Sequence, residues 1–262
     1  MHPALWISKT GLDAQQTDIA VISNNLANSS TVGFKKSRAV FEDLLYQNIN
    51  QPGGRSSQDT EMPNGLMVGA GTKVVATQKN FSQGNMTTTE NSLDFMIQGK
   101  GFFEIQRPDG TLAYTRNGQF SLDENGRLVT SGAGYPLQPE MNVPDNAQSI
   151  SISQQGEVTA QIPGQAEGVV IGQLTITDFI NPAGLEPIGQ NLMTETGVSG
   201  APIQGNPGDN GLGIVVQGAL ETSNVNVTEE LVNMIESQRV YEMNSKVISS
   251  VDQMLSFITQ QL

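Results

Sequence analysis

Residues equipped for chemistry are few in this chain, and their spacing gives them little to work with. The single histidine, His2, stands near one end, so a Ser-His-Asp relay and a histidine-ligated metal both lack their parts. Cysteine is absent, which removes thiolate nucleophiles, disulfides and Cys-based metal sites. Such a chain also suits an oxidising space, where a stray thiol is a hazard. Carboxylates occur in pairs at Asp123-Glu124 and Glu229-Glu230. The first pair falls in a turn, and the second at a helix start, where the macrodipole favours negative charge. Each therefore has a structural reason. Gly69-Ala70-Gly71 and Gly132-Ala133-Gly134 are not followed by Gly-Lys-Ser/Thr and lie in no βαβ context, so they do not form a phosphate loop. Asn28-Ser29-Ser30, Asn85-Met86-Thr87 and Asn226-Val227-Thr228 fit the glycosylation sequon, a pattern common by chance. The expectation is a protein without enzymatic activity, cofactor or metal.

Charge narrows the partners. The formal net charge of −13 speaks against nucleic acid, whose phosphates require clustered Lys and Arg. The one basic run, Lys35, Lys36 and Arg38, reads as a solvated patch or as a contact to an acidic neighbouring subunit. No window approaches the ~18–20 apolar residues of a membrane span. The start, MHPALWISKTGLDAQQ, has no basic n-region, and Ala4 to Ile7 is too short for a signal h-region. The chain is expected to be cytosolic or exported without a cleaved signal peptide.

With 262 residues the chain is long enough for a sizeable core, and the elements that would hold it differ between ends and middle. Leu5, Leu12, Ile19 and Leu26 recur every seven residues, with Lys9, Asp13, Gln15, Gln16 and Asp18 between them. That predicts a helix over 4–27 with a narrow heptad seam. Val227, Met234, Tyr241, Ile248 and Leu255 repeat the pattern at the other end. Asn226 supplies an N-cap, with Glu229 completing a box-like pair. A helix over 227–262 would be roughly 54 Å long. Neither helix buries its seam alone, so the expectation is pairing with each other and with copies of the chain.

The middle reads as β structure. Asp109-Gly110, Asn117-Gly118 and Asn125-Gly126 are hairpin-turn dipeptides, and the runs between them have β-type residues, which predicts a meander. Further strands are expected at 73–79, 149–153, 157–162, 168–177 and 213–220. The stretch from Tyr46 to Gly71 is polar, broken by Pro52, Gly53, Gly54 and Pro63, and without periodicity. The resulting fold class is mixed α and β: long terminal helices forming a coiled-coil layer, a central all-β domain and an extended connecting segment. The expected bounds are 1–45 for the N-terminal helix and its motif, 46–75 for the connecting segment, 76–218 for the β-rich domain and 219–262 for the C-terminal helix.

One motif is more specific. Gly11 is followed by Val21-Ile22-Ser23-Asn24-Asn25-Leu26-Ala27-Asn28, then Ser30-Thr31 and Gly33-Phe34-Lys35. Its asparagines can bond backbone groups and stop a helix, and Gly33 supplies a turn. The run Ser23, Asn24, Asn25, Leu26, Ala27, Asn28, Thr31, Gly33, Phe34 resembles the signature of the flagellar basal-body rod and hook family. Similar likeness extends over 39–54, 99–120 and 221–246, covering almost the whole chain. The resemblance implies a structural, self-assembling subunit whose terminal helices form an inner layer lining a channel. Residues 46–63 are similar to an insert that part of the family carries before its β domain and that is thought to stiffen the rod by bridging subunits. Tyr46, Ile49, Pro52, Arg55, Asp59, Glu61 and Pro63 are the residues implied in that role. The implied partners are copies of itself, proximal rod subunits, hook subunits, the P and L ring proteins of the basal body, and the flagellar type III export apparatus. The implied place is the periplasm, reaching the outer-membrane rings. A proximal rod or hook subunit of the same family is the alternative, and length argues against the hook.

Overall fold

The computed structural model describes residues 3–50, 55–57, 60–61, 64–144, 146–163 and 168–261. The chain divides into two compact units: Met1–Ala27 with Ser37–Gln78 and Asn226–Leu262, and Asn28–Lys36 with Lys79–Val225. These bounds differ from those that periodicity suggests. Residues 28–36 and 219–225 belong with the β body, because their backbones are hydrogen-bonded to it rather than to the helices.

In the first unit, α1 (Pro3–Ala27) and α2 (Val227–Gln261) run at the positions the heptads require. Asn226 caps α2 as expected, its side-chain Oδ1 accepting from the Thr228 N–H at 3.1 Å. The same unit holds a β arm. Strand Ser37–Asp43 pairs with Thr72–Lys79, Gln47–Asn50 pairs with Leu66–Val68, and Arg55–Ser57 pairs with Thr60–Glu61. The Leu44 N–H donates to Gly71 O at 2.9 Å between the first two pairings. The three pairings nest in the manner of one long hairpin, and most of the described residues in the stretch that lacks periodicity are strand.

The β unit carries a five-stranded antiparallel sheet ordered 137–138, 103–106, 112–115, 192–194, 186–189. Successive side chains on a strand point to opposite faces, and both faces are covered. Phe103, Ile105, Ala113 and Leu192 join a core with Phe95, Phe120, Leu128 and Leu174. Phe102, Tyr114 and Met193 join a second cluster with Phe179 and Leu185. A three-stranded sheet (149–152, 157–161, 169–173) and the pairs 95–98 with 214–217, 86–88 with 219–221, 120–122 with 128–130 and 176–178 with 203–205 complete the unit.

Of the three turn dipeptides, Asp109-Gly110 and Asn125-Gly126 close hairpins, with glycine φ of 79° and 73°. Asn117-Gly118 does not. Strand 112–115 turns back to 103–106, and the chain crosses over to pair 120–122 with 128–130. Gly118 is glycine for another reason: a Cβ there would collide with the Phe95 carbonyl, while the Phe95 N–H donates to Gly118 O at 2.9 Å. The meander is corrected to a crossover at this point.

Candidate functional site

The two helices meet within the chain along a polar row. Asn25 Nδ2 donates to Glu230 Oε2 at 3.1 Å, and Ser237 Oγ donates to Asp18 Oδ2 at 2.8 Å. A Cβ on Gly11 would stand 3.0 Å from Asn244 Nδ2. Each step of seven back along α1 is matched by a step of seven forward along α2, so the helices are antiparallel and in heptad register. The following step on α2 is Val251, which is buried. Small and polar side chains at such positions fix register without contributing much hydrophobic energy.

The apolar heptad rows lie beside this contact. Leu5, Leu12, Ile19 and Leu26 directly follow the row of 4, 11, 18 and 25, about 100° round the helix, and are half-buried. On α2, Met234 and Ile248 are half-buried, while Val227, Tyr241 and Leu255 are exposed, the last two at 41% and 38%. Leu231, Ile235, Met254 and Ile258 are exposed beside them. The strongest seam in the sequence is therefore only partly covered within the chain.

The motif residues split between the units. In the helical unit, Asn25 is buried, and besides its bond to Glu230 its amide pairs with the backbone of Ser37, donating to O at 2.8 Å and accepting from N–H at 2.9 Å. It thus bonds strand 37–43 and not the end of its own helix. Ser23 Oγ donates to Ile19 O at 2.7 Å, Leu26 is half-buried, and Asn24 and Ala27 are exposed. In the β unit, Thr31 bonds Asn28 through both backbone and side chain. Gly33 has a φ of 70°, and a Cβ there would come within 2.7 Å of the backbone at Arg116 and Asn117. Phe34 is half-buried with the Lys79 ammonium 5.3 Å from its ring. Burial holds the Lys79 pKa below its ordinary value.

For Lys35, though not for the exposed Arg38, the structure overturns the reading of a solvated basic patch or a contact to another subunit. Lys35 is 2% exposed, and its Nζ donates to Glu221 Oε1 at 2.6 Å and to Ser82 O at 2.8 Å. Arg116, buried nearby, reaches Glu221 Oε2 at 3.5 Å. Desolvation holds the pKa of Lys35 and of Arg116 below their ordinary values, against the pull of Glu221. Local sequence reading misses this pair because its partners stand 186 residues apart.

In the arm, Tyr46 and Ile49 are exposed, together with Leu45, Leu66 and Met67. Pro52, Asp59 and Pro63 lie outside the described residues. Arg55 and Glu61 are register partners on the backbone. Among the described residues no cluster of metal-ligating side chains occurs, and no helix is long and apolar enough to cross a membrane.

Three family descriptions match successive parts of the chain. Residues 6–35 match the flagella basal body rod protein family, 96–160 the flagellar hook protein FlgE/F/G D1 domain, and 216–261 the C-terminal part of flagellar basal body rod FlgEFG proteins. The chain is 56% identical over 260 residues to the flagellar basal-body rod protein FlgG of Buchnera aphidicola subsp. Schizaphis graminum, covering 99% of this chain and 100% of that one. It is 49% identical to the protein of the same name from Borreliella burgdorferi, over 97% of both chains. Against that of Bacillus subtilis identity is 40%, again over 97% of both.

Proposed function

The chain belongs to the flagellar basal-body rod protein family, and we propose that it builds the distal part of the rod by packing the apolar rows of α1 and α2 against those of neighbouring copies. It is a structural subunit of the flagellar rod and not an enzyme. The observation that carries the packing is the division between rows: the side-chain hydrogen bonds between the helices lie on one row, and the apolar heptads beside it remain half-buried or exposed. Such a surface suits a helical layer completed only in the polymer. In this reading that layer lines the hollow of a stiff driveshaft. Neighbours of the chain are then copies of itself, proximal rod and hook subunits, and the P and L ring proteins. Passage through the type III export apparatus and a final place in the periplasm, reaching the outer-membrane rings, belong to the same reading. The exposed apolar side chains of the arm, Tyr46 and Ile49 among them, support a bridging contact that stiffens the shaft.

The test uses side chains that a lone subunit leaves in water. Tyr241→Glu and Leu255→Glu cost an isolated chain little, since exposed substitutions stay within roughly 0.5 kcal/mol. A carboxylate buried without a partner costs several kcal/mol, repeated in every subunit of a polymer. Both variants are expected to fold normally by circular dichroism and to leave basal bodies without a completed rod in electron micrographs. Normal rods from both would refute the packing.

A further inference from the structure

Lys35, Arg116 and Glu221 form a buried ionic cluster that the assembly surface does not use. Their relative exposures are 2%, 6% and 1%. Glu221 Oε1 accepts from Lys35 Nζ at 2.6 Å and from the Gly84 N–H at 2.8 Å. Lys35 also donates to Ser82 O at 2.8 Å. Arg116 reaches Glu221 Oε2 at 3.5 Å, donates to Gly99 O at 2.8 Å and to Ile97 O at 3.4 Å, and sits 5.2 Å over the Phe102 ring. One carboxylate thus ties together two cations, the 82–84 segment and, through Arg116, the carbonyl oxygens at one end of core strand 95–98.

The placement of these groups along the chain is informative. The chain passes between the units four times, after Ala27, Lys36, Gln78 and Val225. Beside the last three of these points, within the β unit, the backbone is laced together. The Gly33 N–H donates to Glu221 O at 2.8 Å and the Asn80 N–H to Lys36 O at 2.8 Å. Asn224 accepts from the Lys36 N–H at 2.7 Å and donates to Asn80 O at 2.8 Å and Ser82 O at 3.1 Å. The cluster stands at the centre of this lacing. A buried ion pair adds little net stability over an apolar replacement, but removing one partner strands a charge and is costly. Such a contact is suited to holding a single arrangement.

We propose that Glu221, with Lys35 and Arg116, is an ionic clamp that fixes the last three of these chain passes on the β unit and connects them to its core through Arg116. In a subunit that transmits torque, force arriving along those passes enters the core by way of the clamp. That mechanical consequence rests on the rod reading, whereas the clamp itself does not.

The experiment is hydrogen exchange on the full-length chain, comparing the parent with Glu221→Gln, Lys35→Met and the double variant. Glu221→Gln keeps the shape but leaves the two buried cations without the carboxylate they share. Exchange at Gly33, Lys36, Gly84, Thr222 and Asn224 is expected to quicken at least tenfold, while amides of 103–106 and 112–115 change less than threefold. Removing one of the two cations in the double variant is expected to recover part of that protection. Unchanged exchange around the passes, equal loosening of the core, or no recovery in the double variant would each overturn the clamp. Should Glu221→Gln fail to fold, Lys35→Met decides alone, since it leaves one cation against one anion. Quickening confined to 33–36 and 82–84 supports the clamp, and no quickening there overturns it.

Discussion

Asn25 offers the sharpest test of how the helical unit is held. Its amide makes two bonds to the Ser37 backbone and one to the buried Glu230 carboxylate. Asn25→Ala removes all three. A neutral bond contributes about 1 kcal/mol net and a bond to a charged group about 1.5–3. Ser37 is half-buried, so water recovers part of the first loss. Alanine returns roughly 0.5 kcal/mol through helix propensity. The expected cost is about 3 kcal/mol, read as the opening free energy of amides in 37–43 by native-state hydrogen exchange. Asn25→Asp separates geometry from charge. It keeps the acceptor for the Ser37 N–H but sets two carboxylates side by side where a donor had been. Such a pair resists double ionisation, so one member binds a proton at higher pH than it does in the unfolded chain. The folded state then holds the extra proton, and stability rises as pH falls through that raised value. The aspartate variant should be worse than alanine at pH 7 and recover toward the parent as the pair takes up its proton. A cost below about 0.5 kcal/mol for the alanine variant, or an aspartate defect independent of pH, would show that Asn25 does not join the helices and the strand.

Two further outcomes follow. Tyr114 is fully buried and its hydroxyl has no hydrogen-bond partner among the described residues; desolvation first, then Glu104 and Glu195, push its pKa up to about 12. Because the folded state keeps the proton longer than the unfolded chain, stability is complete below pH 10 and falls by about 1.4 kcal/mol per pH unit as pH rises from there toward 12. Tyr114→Phe should remove that slope in urea titrations at pH 9–12 while leaving neutral stability equal or slightly higher, and an unchanged slope would assign the alkaline loss elsewhere. Deleting 46–63, the outer part of the hairpin arm, should leave a subunit that polymerises into curved or pliable filaments; straight, stiff filaments in electron micrographs would return the arm to a linker.

What the sequence made legible follows from where periodic signals come from. The helices were readable because heptads are local, and Asn226 because a cap acts within one turn. Apart from strand 72–79, expected at 73–79, the arm was not readable. A strand announces itself by alternation only when one face is buried, and Gln47–Asn50 is exposed on both. Asn117-Gly118 misled because a glycine required by a close approach looks the same, in one dimension, as a glycine required by a turn. Lys35 misled because charge near charge reads as surface, whereas its counterion lies near the far end of the β unit's sequence. The polar ladder was hidden for the same reason: Asn25 and Glu230 are 205 residues apart, and Asp18 and Ser237 are 219 apart. Residues of these types are ordinary on a solvated helix face, and only the second helix shows that they face each other.

The two kinds of row on each helix also explain each other. Had the leucine row joined α1 to α2 within the chain, the hairpin of helices would have closed on its own apolar surface and presented its polar faces outward, a soluble and finished object. With polar groups in the internal contact, the pairing gains specificity from Asn25, Asp18 and Gly11 against Glu230, Ser237 and Asn244, while the apolar heptad rows beside it stay only partly covered. The hydrophobic effect then acts mainly when further copies arrive, because roughly 25 cal/mol is gained for each Å² of apolar surface removed from water. An isolated subunit with such helices has a register but no strong seam. A polymer of them has both, which makes the strength of the helical layer a property of assembly instead of the single chain.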